Sequence, residues 1–213
     1  MTEAKAEILQ RIRSALAVAH PGSVTVPRDY DRASLQSSAD VERFAAAVEE
    51  YRARVHRTEP GAIATAVAAL VTAEARIVVP ADMPTDWVRG LNAAQDSAHH
   101  PLSVADLDAA DAVVTGCALG IAATGTIVLD AGVTQGRRAL TLVPDHHICV
   151  VFTDQVVDTV PQAFARLDPL RPLTFISGPS ATSDIELDRV EGVHGPRTLD
   201  VLLVNERLSG RTA

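Results

Sequence analysis

The chain is poor in cysteine and in aromatic residues. Its 213 residues include only two cysteines, Cys117 and Cys149, and aromatic residues make up 3% of the total. An iron–sulfur cluster normally takes about four thiolates, so this chain cannot hold one alone. The cysteines form no Cys-x-x-Cys pair, and two buried apolar thiols are the favoured interpretation. Because hydrophobic residues still make up 47%, the core must consist of Ala, Val, Leu and Ile, which suits helices packed on a parallel sheet.

Motifs of self-contained catalysis and basic surfaces are also absent. The sequence has no Gly-x-Gly-x-x-Gly after its first strand, no Gly-Lys-Ser/Thr phosphate loop and no Gly-x-Ser-x-Gly elbow. Lys and Arg total 19 against 27 Asp and Glu, a formal charge of −8, so nucleic acid is not an expected partner. No segment approaches the roughly 20 apolar residues of a membrane span, and none resembles a signal peptide. We therefore expect a soluble cytoplasmic protein.

Hydrophobic periodicity predicts an N-terminal helix and connector over residues 1–38 and a single α/β domain over residues 39–213. Helices are predicted at 3–19, 40–51, 60–72, 84–91, 103–107 and 160–167, and strands at 53–58, 76–79, 112–115, 139–143, 147–152, 173–176 and 199–204. Strands alternating with helices favour right-handed parallel crossovers. The first helix is either an arm or a helix packed on its own core.

The polar segment between two Gly-Pro pairs is the strongest candidate for a ligand site. The first pair begins at Gly178, after an apolar run over residues 173–176, and the second begins at Gly195. Because such turns end the strand, Ser180 and Thr182 fall where a helix can start, with hydroxyls and backbone N–H groups available. This pattern predicts an anion site at Gly178, Ser180 and Thr182. N-capping is the competing interpretation for each hydroxyl.

A Thr-Gly-Thr sequence lies among strand-forming residues at 118–129. Thr124, Gly125 and Thr126 offer two hydroxyls and a bare backbone N–H that suit a carboxylate or phosphate. A glycine weakens a strand unless another group approaches it closely. The same glycine is also compatible with a simple bulge.

Three side chains of the segment 178–196 are candidates for proton transfer. His194 is held between turns and suits a general acid/base or a substrate donor, although a structural histidine fits equally well. Asp184 and Glu186 are two residues apart, which on a strand places both carboxylates on one face. Solvated or ion-paired carboxylates remain the alternative.

Two pairs of adjacent histidines, His99-His100 and His146-His147, raise the question of a metal site. Adjacent residues on a strand point to opposite faces, and none of these histidines has a partner at i+4. We therefore predict no metal site.

Five segments, in order, resemble the lactate utilization protein C family, which is built on the LUD domain. The match spans nearly the whole chain, and the Gly-Pro-Ser and His-Gly-Pro motifs are its most specific parts. The segments are 6–13 (Ala-Glu-Ile-Leu-Gln-Arg-Ile-Arg), 121–126 (Ile-Ala-Ala-Thr-Gly-Thr), 144–148 (Pro-Asp-His-His-Ile), 178–186 (Gly-Pro-Ser-Ala-Thr-Ser-Asp-Ile-Glu) and 192–196 (Gly-Val-His-Gly-Pro).

The resemblance implies a fold like that of ribose-phosphate isomerase, glucosamine-phosphate deaminase and the coenzyme-A transferases. This fold is a three-layer α/β sandwich around a mostly parallel sheet, here with an N-terminal helical arm. It also implies a non-redox subunit of a three-protein system that oxidises L-lactate to pyruvate. The iron–sulfur clusters are then expected on two partner proteins, and no cofactor is expected on this chain.

The resemblance also implies a shared pocket for a small carboxylate. One departure matters, because the family often has an acidic residue just before the Thr-Gly-Thr sequence and this chain has Ala123. The pocket residues implied by the family are Thr124, Gly125, Thr126, Ser180, Thr182, Asp184, Glu186 and His194, with His147 nearby.

Three functions remain open from the sequence. The first is the non-redox subunit of a lactate-oxidising complex, with His194 serving the α-hydroxyl of the substrate. The second is a stand-alone isomerase or acyl/CoA-transfer enzyme acting on a phosphorylated or CoA-linked molecule, with Asp184 or Glu186 as base or nucleophile. The third is a scaffold with a vestigial pocket. The alanine at position 123, where the family often has an acidic residue, supports this hypothesis.

Overall fold

A computed structural model describes residues 3–18, 25–27, 39–179, 181–182, 190–191 and 195–205 of the chain. The chain divides into two compact units, Met1–Asp31 and Arg32–Ala213. Helix α1, Glu3–Val18, belongs to the first unit. Its Ile8, Ile12 and Leu16 lie four residues apart and are all about half exposed or more. The amphipathic helix predicted from the sequence is therefore present, with an exposed apolar stripe.

The second unit contains four further helices and twelve strands among its described residues. The helices are α2 (Val41–Glu50), α3 (Ile63–Leu70), α4 (Val104–Asp108) and α5 (Val160–Arg166). The strands are β1 (Arg54–Thr58), β2 (Ile77–Pro80), β3 (Ala93–Asp96), β4 (Ala112–Thr115), β5 (Leu119–Ile121), β6 (Thr126–Leu129), β7 (His146–Phe152), β8 (Val156–Val157), β9 (Thr174–Ile176), β10 (Ala181–Thr182), β11 (Val190–Glu191) and β12 (Thr198–Val204).

A six-stranded parallel sheet forms the centre of this unit, in the order β1-β12-β7-β4-β2-β3. All four residues of β2 and of β4 are buried, as expected for parallel strands covered on both faces. The α/β class and the mostly parallel sheet predicted from the sequence are confirmed. A second sheet, in the order β8-β5-β6-β9, was not predicted. The pair β10–β11 is a separate antiparallel ribbon.

Apolar clusters cover both faces of the large sheet. On one face, Ile148 and Val150 pack with Ile63 and Val67 of α3. On the other face, Cys149 packs with α2 and the small sheet. The outer face of the small sheet packs against α5. The order of layers is therefore α3, large sheet, small sheet, α5.

Two predicted elements are wrong, and several strands were missed, β3 among them. Residues 84–91 form only a short 3₁₀ turn, Thr85–Trp87, in which Trp87 packs on Phe152 with ring centroids 5.8 Å apart. Residues 139–143 do not form a strand. Most of them belong to the 3₁₀ turn Arg138–Thr141, in which Leu140 is fully buried with Val78 under α4. Tertiary packing thus overrides the apolar alternation of this segment. Strand β3 was missed because Ala-Ala-Gln-Asp lacks β-branched residues.

Candidate functional site

The Thr-Gly-Thr sequence forms the turn of the β5–β6 hairpin rather than the interior of one strand. Gly125 adopts a left-handed conformation with φ +56°, directly after the 3₁₀ turn Ala122–Thr124. A Cβ atom at Gly125 would lie 2.5 Å from the backbone of Ala47 in α2. Glycine is required here because the hairpin turn packs on α2. A role of Gly125 in binding stays a prediction.

Gly178 also packs closely against α2. Its φ is +79°, and a Cβ atom there would lie 2.5 Å from the carbonyl oxygen of Tyr51, the residue that ends α2. The two glycines predicted to approach a ligand therefore both make close backbone contacts with one helix. Helix α2 in this way holds the hairpin turn and the first Gly-Pro turn side by side.

A chain of hydroxyl groups joins these two turns. The hydroxyls of Thr124 and Thr126 are 2.7 Å apart, and those of Thr126 and Ser177 are 2.8 Å apart. Strands β6 and β9 pair antiparallel, which places residue 177 beside the hairpin turn. The Thr-Gly-Thr sequence and Gly178 are 52 residues apart at their nearest members (126 and 178) and are brought together by this pairing.

A cavity of about 300 Å³ lies between β9, the amino ends of β7 and β12, and the 3₁₀ turn Arg138–Thr141. Both Gly-Pro pairs singled out in the sequence contribute to it. The lining residues are Arg138, Thr141, Leu142, His147, Thr174, Phe175, Ile176, Ser177, Gly178, Pro179, Gly195, Pro196 and Leu199.

Four polar side chains give this cavity its chemistry. His147 and Thr141 are almost completely buried, at 1% and 3% exposure. Ser177 extends the hydroxyl chain to the cavity wall. Arg138 supplies a positive charge, and within the described residues no hydrogen bond or ion pair engages its guanidinium. A cation, two hydroxyls and an imidazole around a small cavity suit a small anion.

Sequence reasoning missed Arg138, Thr141 and Ser177, and placed His147 only near the pocket. The available signal for the arginine was the Gly136-Arg137-Arg138 sequence, in which a turn is followed by two cations. The incorrect strand prediction for residues 139–143 hid this signal.

Several predicted site residues lie outside the described part of the chain. These are Ser180, Asp184, Glu186 and His194. Thr182 belongs to β10, which pairs with β11, and only its backbone is described. Their roles in anion binding and proton transfer stay predictions, as do those of Thr124 and Thr126.

Behind His147, a buried polar cluster extends into the core. His147 Nε2 and the Thr115 hydroxyl are 2.8 Å apart, and this hydroxyl donates to Cys149 Sγ at 4.0 Å. The Cys117 thiol, also in this core, donates to Oε1 of Gln155 at 3.7 Å.

Adjacent His146 lies on the opposite face of the large sheet. Its Nε2 is 2.6 Å from Asp200, whose carboxylate also contacts Arg54 and His56 of β1. Burial raises the pKa of Asp200, but the hydrogen bonds from His146, Arg54 and His56 together outweigh burial and lower it to about 2. Among the described residues, no group of three or more His, Cys, Asp or Glu side chains is arranged to hold a metal ion.

A second cavity, of about 490 Å³, lies at the carboxyl ends of β2 and β3. Its charged groups already have partners within the protein. Arg137 forms a two-pronged pair with Asp96 at 2.8 and 2.9 Å, and Asp82 accepts from the backbone N–H of Thr134 at 2.9 Å. The cavity at Arg138 is therefore the better candidate for an anion.

Comparison with known proteins gives consistent matches. Residues 104–204 match the family model of the LUD domain. Lactate utilization protein C of Deinococcus radiodurans is 44% identical over 95% of this chain and 96% of that protein. The protein of the same name from Geobacillus kaustophilus is 35% identical over 48% of this chain and 47% of that protein.

A solved structure supports the same assignment. The crystal structure of a DUF162 family protein from Deinococcus radiodurans superposes with a TM-score of 0.65 and 40% sequence identity, over 82% of this chain and 98% of that chain. Among the described helices of the present chain, none is long and apolar enough to cross a lipid bilayer. From the identity along nearly its full length and from the shared fold, the chain belongs to the LUD-domain family of lactate utilization protein C.

Proposed function

We propose that this chain acts in lactate utilization as a protein C component. The observation that carries this proposal is the 44% identity to Lactate utilization protein C of Deinococcus radiodurans over nearly the whole of both chains. Similarity of this extent preserves the arrangement of a site as well as the fold. A fold match alone would not support a function.

The chain takes the non-redox role in this system, beside iron–sulfur partner proteins. Its two cysteines support this division, because both lie inside the core and not at a surface where a cluster could be ligated. Electron transfer then belongs to the partners. The contribution of this chain is to bind a small molecule.

The small molecule is a 2-hydroxy or 2-keto carboxylate bound in the cavity at Arg138. The guanidinium is the counter-charge for the carboxylate, and charge-assisted hydrogen bonds are the stronger class. The hydroxyls of Thr141 and Ser177 lie in the wall to receive the remaining oxygens. Because His147 is buried, water is excluded from the side of the ligand that faces it.

Titration calorimetry with L-lactate, pyruvate and acetate tests the binding site. We expect Arg138→Gln to weaken lactate or pyruvate binding by about tenfold or more, because a hydrogen bond to a charged group contributes about 1.5–3 kcal/mol. Arg166→Gln, at the exposed end of α5 and away from the cavity, is the matched control and should bind as the natural chain does. Equal affinities of the two variants would refute this site.

Reconstitution tests the place of the chain in the system. Lactate-dependent dye reduction is measured with the iron–sulfur partner proteins, with and without this chain. We expect activity to depend on the chain and to fall with Arg138→Gln. A thermal-shift screen that responds to sugar phosphates or acyl-CoA esters instead of lactate and pyruvate would favour the stand-alone enzyme.

A further inference from the structure

We infer that Nδ1 of His147 binds the 2-oxygen of the ligand, as an acceptor for a 2-hydroxy acid and as a donor for a 2-keto acid. This inference rests on the proposed function and deepens it, because it assigns the group that distinguishes these acids from a plain carboxylate. Two observations carry it: the position of one ring nitrogen at the cavity, and a buried hydroxyl that can serve either state of the ring.

The large sheet holds His147 at the wall of the cavity. Residue 147 is paired with Val113 of β4 and with Leu199 of β12, and Leu199 lines the same cavity. The side chain of His147 is only 1% exposed. A ring fixed on a central strand keeps one orientation, as a group that contacts a ligand must.

The protein engages only one of the two ring nitrogens. Nε2 lies 2.8 Å from the Thr115 hydroxyl, whereas Nδ1 has no hydrogen-bond partner among the described residues. In that part of the chain, no fully enclosed side-chain nitrogen or oxygen lacks a partner. Nδ1 is therefore not enclosed, and the open space beside His147 is the cavity. An almost buried imidazole with one unpaired nitrogen at a cavity is suited to bind a polar ligand atom.

The Thr115 hydroxyl can act towards Nε2 as a donor or as an acceptor. Its hydrogen can point to Nε2 or to Sγ of Cys149, which is 4.0 Å away and is a weak acceptor. The Cys149 thiol gives its own hydrogen to the carbonyl oxygen of Gly116 at 3.7 Å, so its sulfur stays available as an acceptor. Rotation of one hydroxyl therefore satisfies either tautomer of the neutral ring.

The two tautomers match the two oxidation states of the ligand. A 2-hydroxy acid donates its hydroxyl hydrogen to bare Nδ1, while the Nε2–H group donates to Thr115. A 2-keto acid accepts from the Nδ1–H group, while bare Nε2 accepts from Thr115. The same side chain thus binds both forms without leaving a buried polar group unpaired. Propionate has no 2-oxygen and leaves Nδ1 unpaired, which costs affinity.

Nitrogen-15 NMR of the full-length protein tests the tautomers directly, because bare and protonated ring nitrogens differ widely in chemical shift. Spectra are recorded with saturating L-lactate or pyruvate in slightly alkaline buffer, where free imidazole is neutral, and the His147 signals are assigned by triple-resonance experiments. We expect Nδ1 to be bare with L-lactate and protonated with pyruvate, and Nε2 to be in the opposite state. The same tautomer with both ligands would overturn the inference.

Titration calorimetry with L-lactate, pyruvate and propionate measures what the 2-oxygen contributes. We expect L-lactate to bind about tenfold more tightly than propionate, since one hydrogen bond between neutral groups contributes on that scale. His147→Gln places an amide near the position of Nε2 and should lose this preference. His147→Asn places an amide near the position of Nδ1 and should keep most of it. Equal preferences in the two variants would refute the role of Nδ1, and the wild-type spectra decide if neither variant folds.

Thr115 is a positioning residue, because it acts on the ligand only through His147. Thr115→Val should weaken binding of L-lactate and pyruvate several-fold and leave binding of propionate nearly unchanged, and Thr115→Ser should restore both affinities. A loss shared equally by all three acids would refute this role, because a merely structural defect does not depend on the 2-oxygen.

Failure of this inference can be told apart from failure of the proposed site, because propionate reports on the contact with Arg138 alone. If all three acids bind with equal affinity and lose it in Arg138→Gln, the site stands and the role of His147 is refuted. If none of the three binds, the proposed site is refuted, and this inference with it.

Discussion

At the scale of single residues, Asp200 is a buried carboxylate with three partners. Its side chain is completely buried between Arg54, His56 and His146. A buried carboxylate is costly unless cations and hydrogen bonds compensate it. Here three donors from two neighbouring strands do so, and they join the edge strand β1 and the central strand β7 to β12.

The lowered pKa of Asp200 predicts the pH dependence of stability. A carboxylate with a depressed folded-state pKa stabilises the protein above its ordinary pKa, here 3.8, and this stabilisation is lost as pH falls toward about 2. Asp200→Asn should therefore cost about 2 kcal/mol at pH 6, with the difference from wild type shrinking below pH 4. Urea denaturation across this pH range measures it. Asp108→Asn, an exposed carboxylate at the end of α4, is the control and should change stability little.

Gly125 offers a second test at this scale. The energetic cost of an alanine in its left-handed conformation can be measured separately from the cost of the collision with α2. Gly90 also has a positive φ, +80°, but a Cβ atom there would meet no atom within 4 Å. We expect Gly90→Ala to cost about 1 kcal/mol from conformation alone. Gly125→Ala should cost about 3 kcal/mol, because its new methyl group would also collide with α2. Similar denaturation midpoints for the two variants would show that α2 yields to the methyl group.

At the scale of elements, the loop that follows β6 is stabilised by side chains at its base. Asp130 accepts hydrogen bonds from the side chain of Gln135 and the backbone of Gly132, and pairs with Arg171 at 2.9 Å. This clamp allows two residues other than glycine, Ala131 and Thr134, to adopt left-handed backbone conformations. The loop therefore carries backbone strain that its hydrogen bonds compensate.

Replacing Ala131 with glycine should relieve part of this strain. Ala131 is exposed and has φ +54°, so Ala131→Gly should raise the free energy of unfolding by up to about 1 kcal/mol. The same substitution at Ala69, exposed within α3, should lower it by about 1 kcal/mol. Opposite signs for these variants in thermal or urea unfolding are the expected result. A loss of stability in both would mean that the Ala131 methyl group makes a contact worth more than the strain.

The sequence predicted the elements whose signals are local. Helix α4 has a Ser103–Asp106 capping box, and α2 has an Asp40 cap, so both starts are encoded nearby. The buried strands β4, β7 and β12 are apolar runs of the length that strands adopt. The small sheet could not be predicted, because its strands are two to four residues long and pair across intervening segments.

The candidate site was predictable only in part, because contacts between segments distant in sequence position some of its residues. The two Gly-Pro turns stand out in the sequence, and both line the cavity. Arg138 and Thr141 reach it because Leu140 is buried and turns the chain there into a 3₁₀ conformation, which depends on contacts with Val78 and Leu107. No pattern within residues 137–143 predicts contacts with those distant residues.

At the scale of the whole molecule, the described apolar clusters are built from residues of the second unit alone. Their members run from Ala39 to Val204, and none belongs to Met1–Asp31. The amphipathic α1 is a short helix, and such helices depend on packing for most of their stability.

Removal of residues 1–31 should therefore leave the second unit folded. We expect the melting temperature, followed by circular dichroism, to change by less than about 3 °C, since 1 kcal/mol shifts it by roughly 2–4 °C in a domain of this size. The reconstituted assay described above, repeated with the shortened chain, would then report separately on what α1 contributes to assembly. A larger fall in melting temperature would show that the first unit stabilises the second.

The pairing of β1 with β12 has a consequence for biosynthesis. Arg54 lies opposite Asp200, so β1 can pair within the large sheet only after β12 has been synthesised. While the ribosome is still translating, β1 has no neighbour in the sheet, and the central position between β1 and β7 stays empty. The sheet can close only after residues 198–204 have been made, and a message truncated shortly before codon 198 would leave a nascent product without the strand that joins β1 to β7.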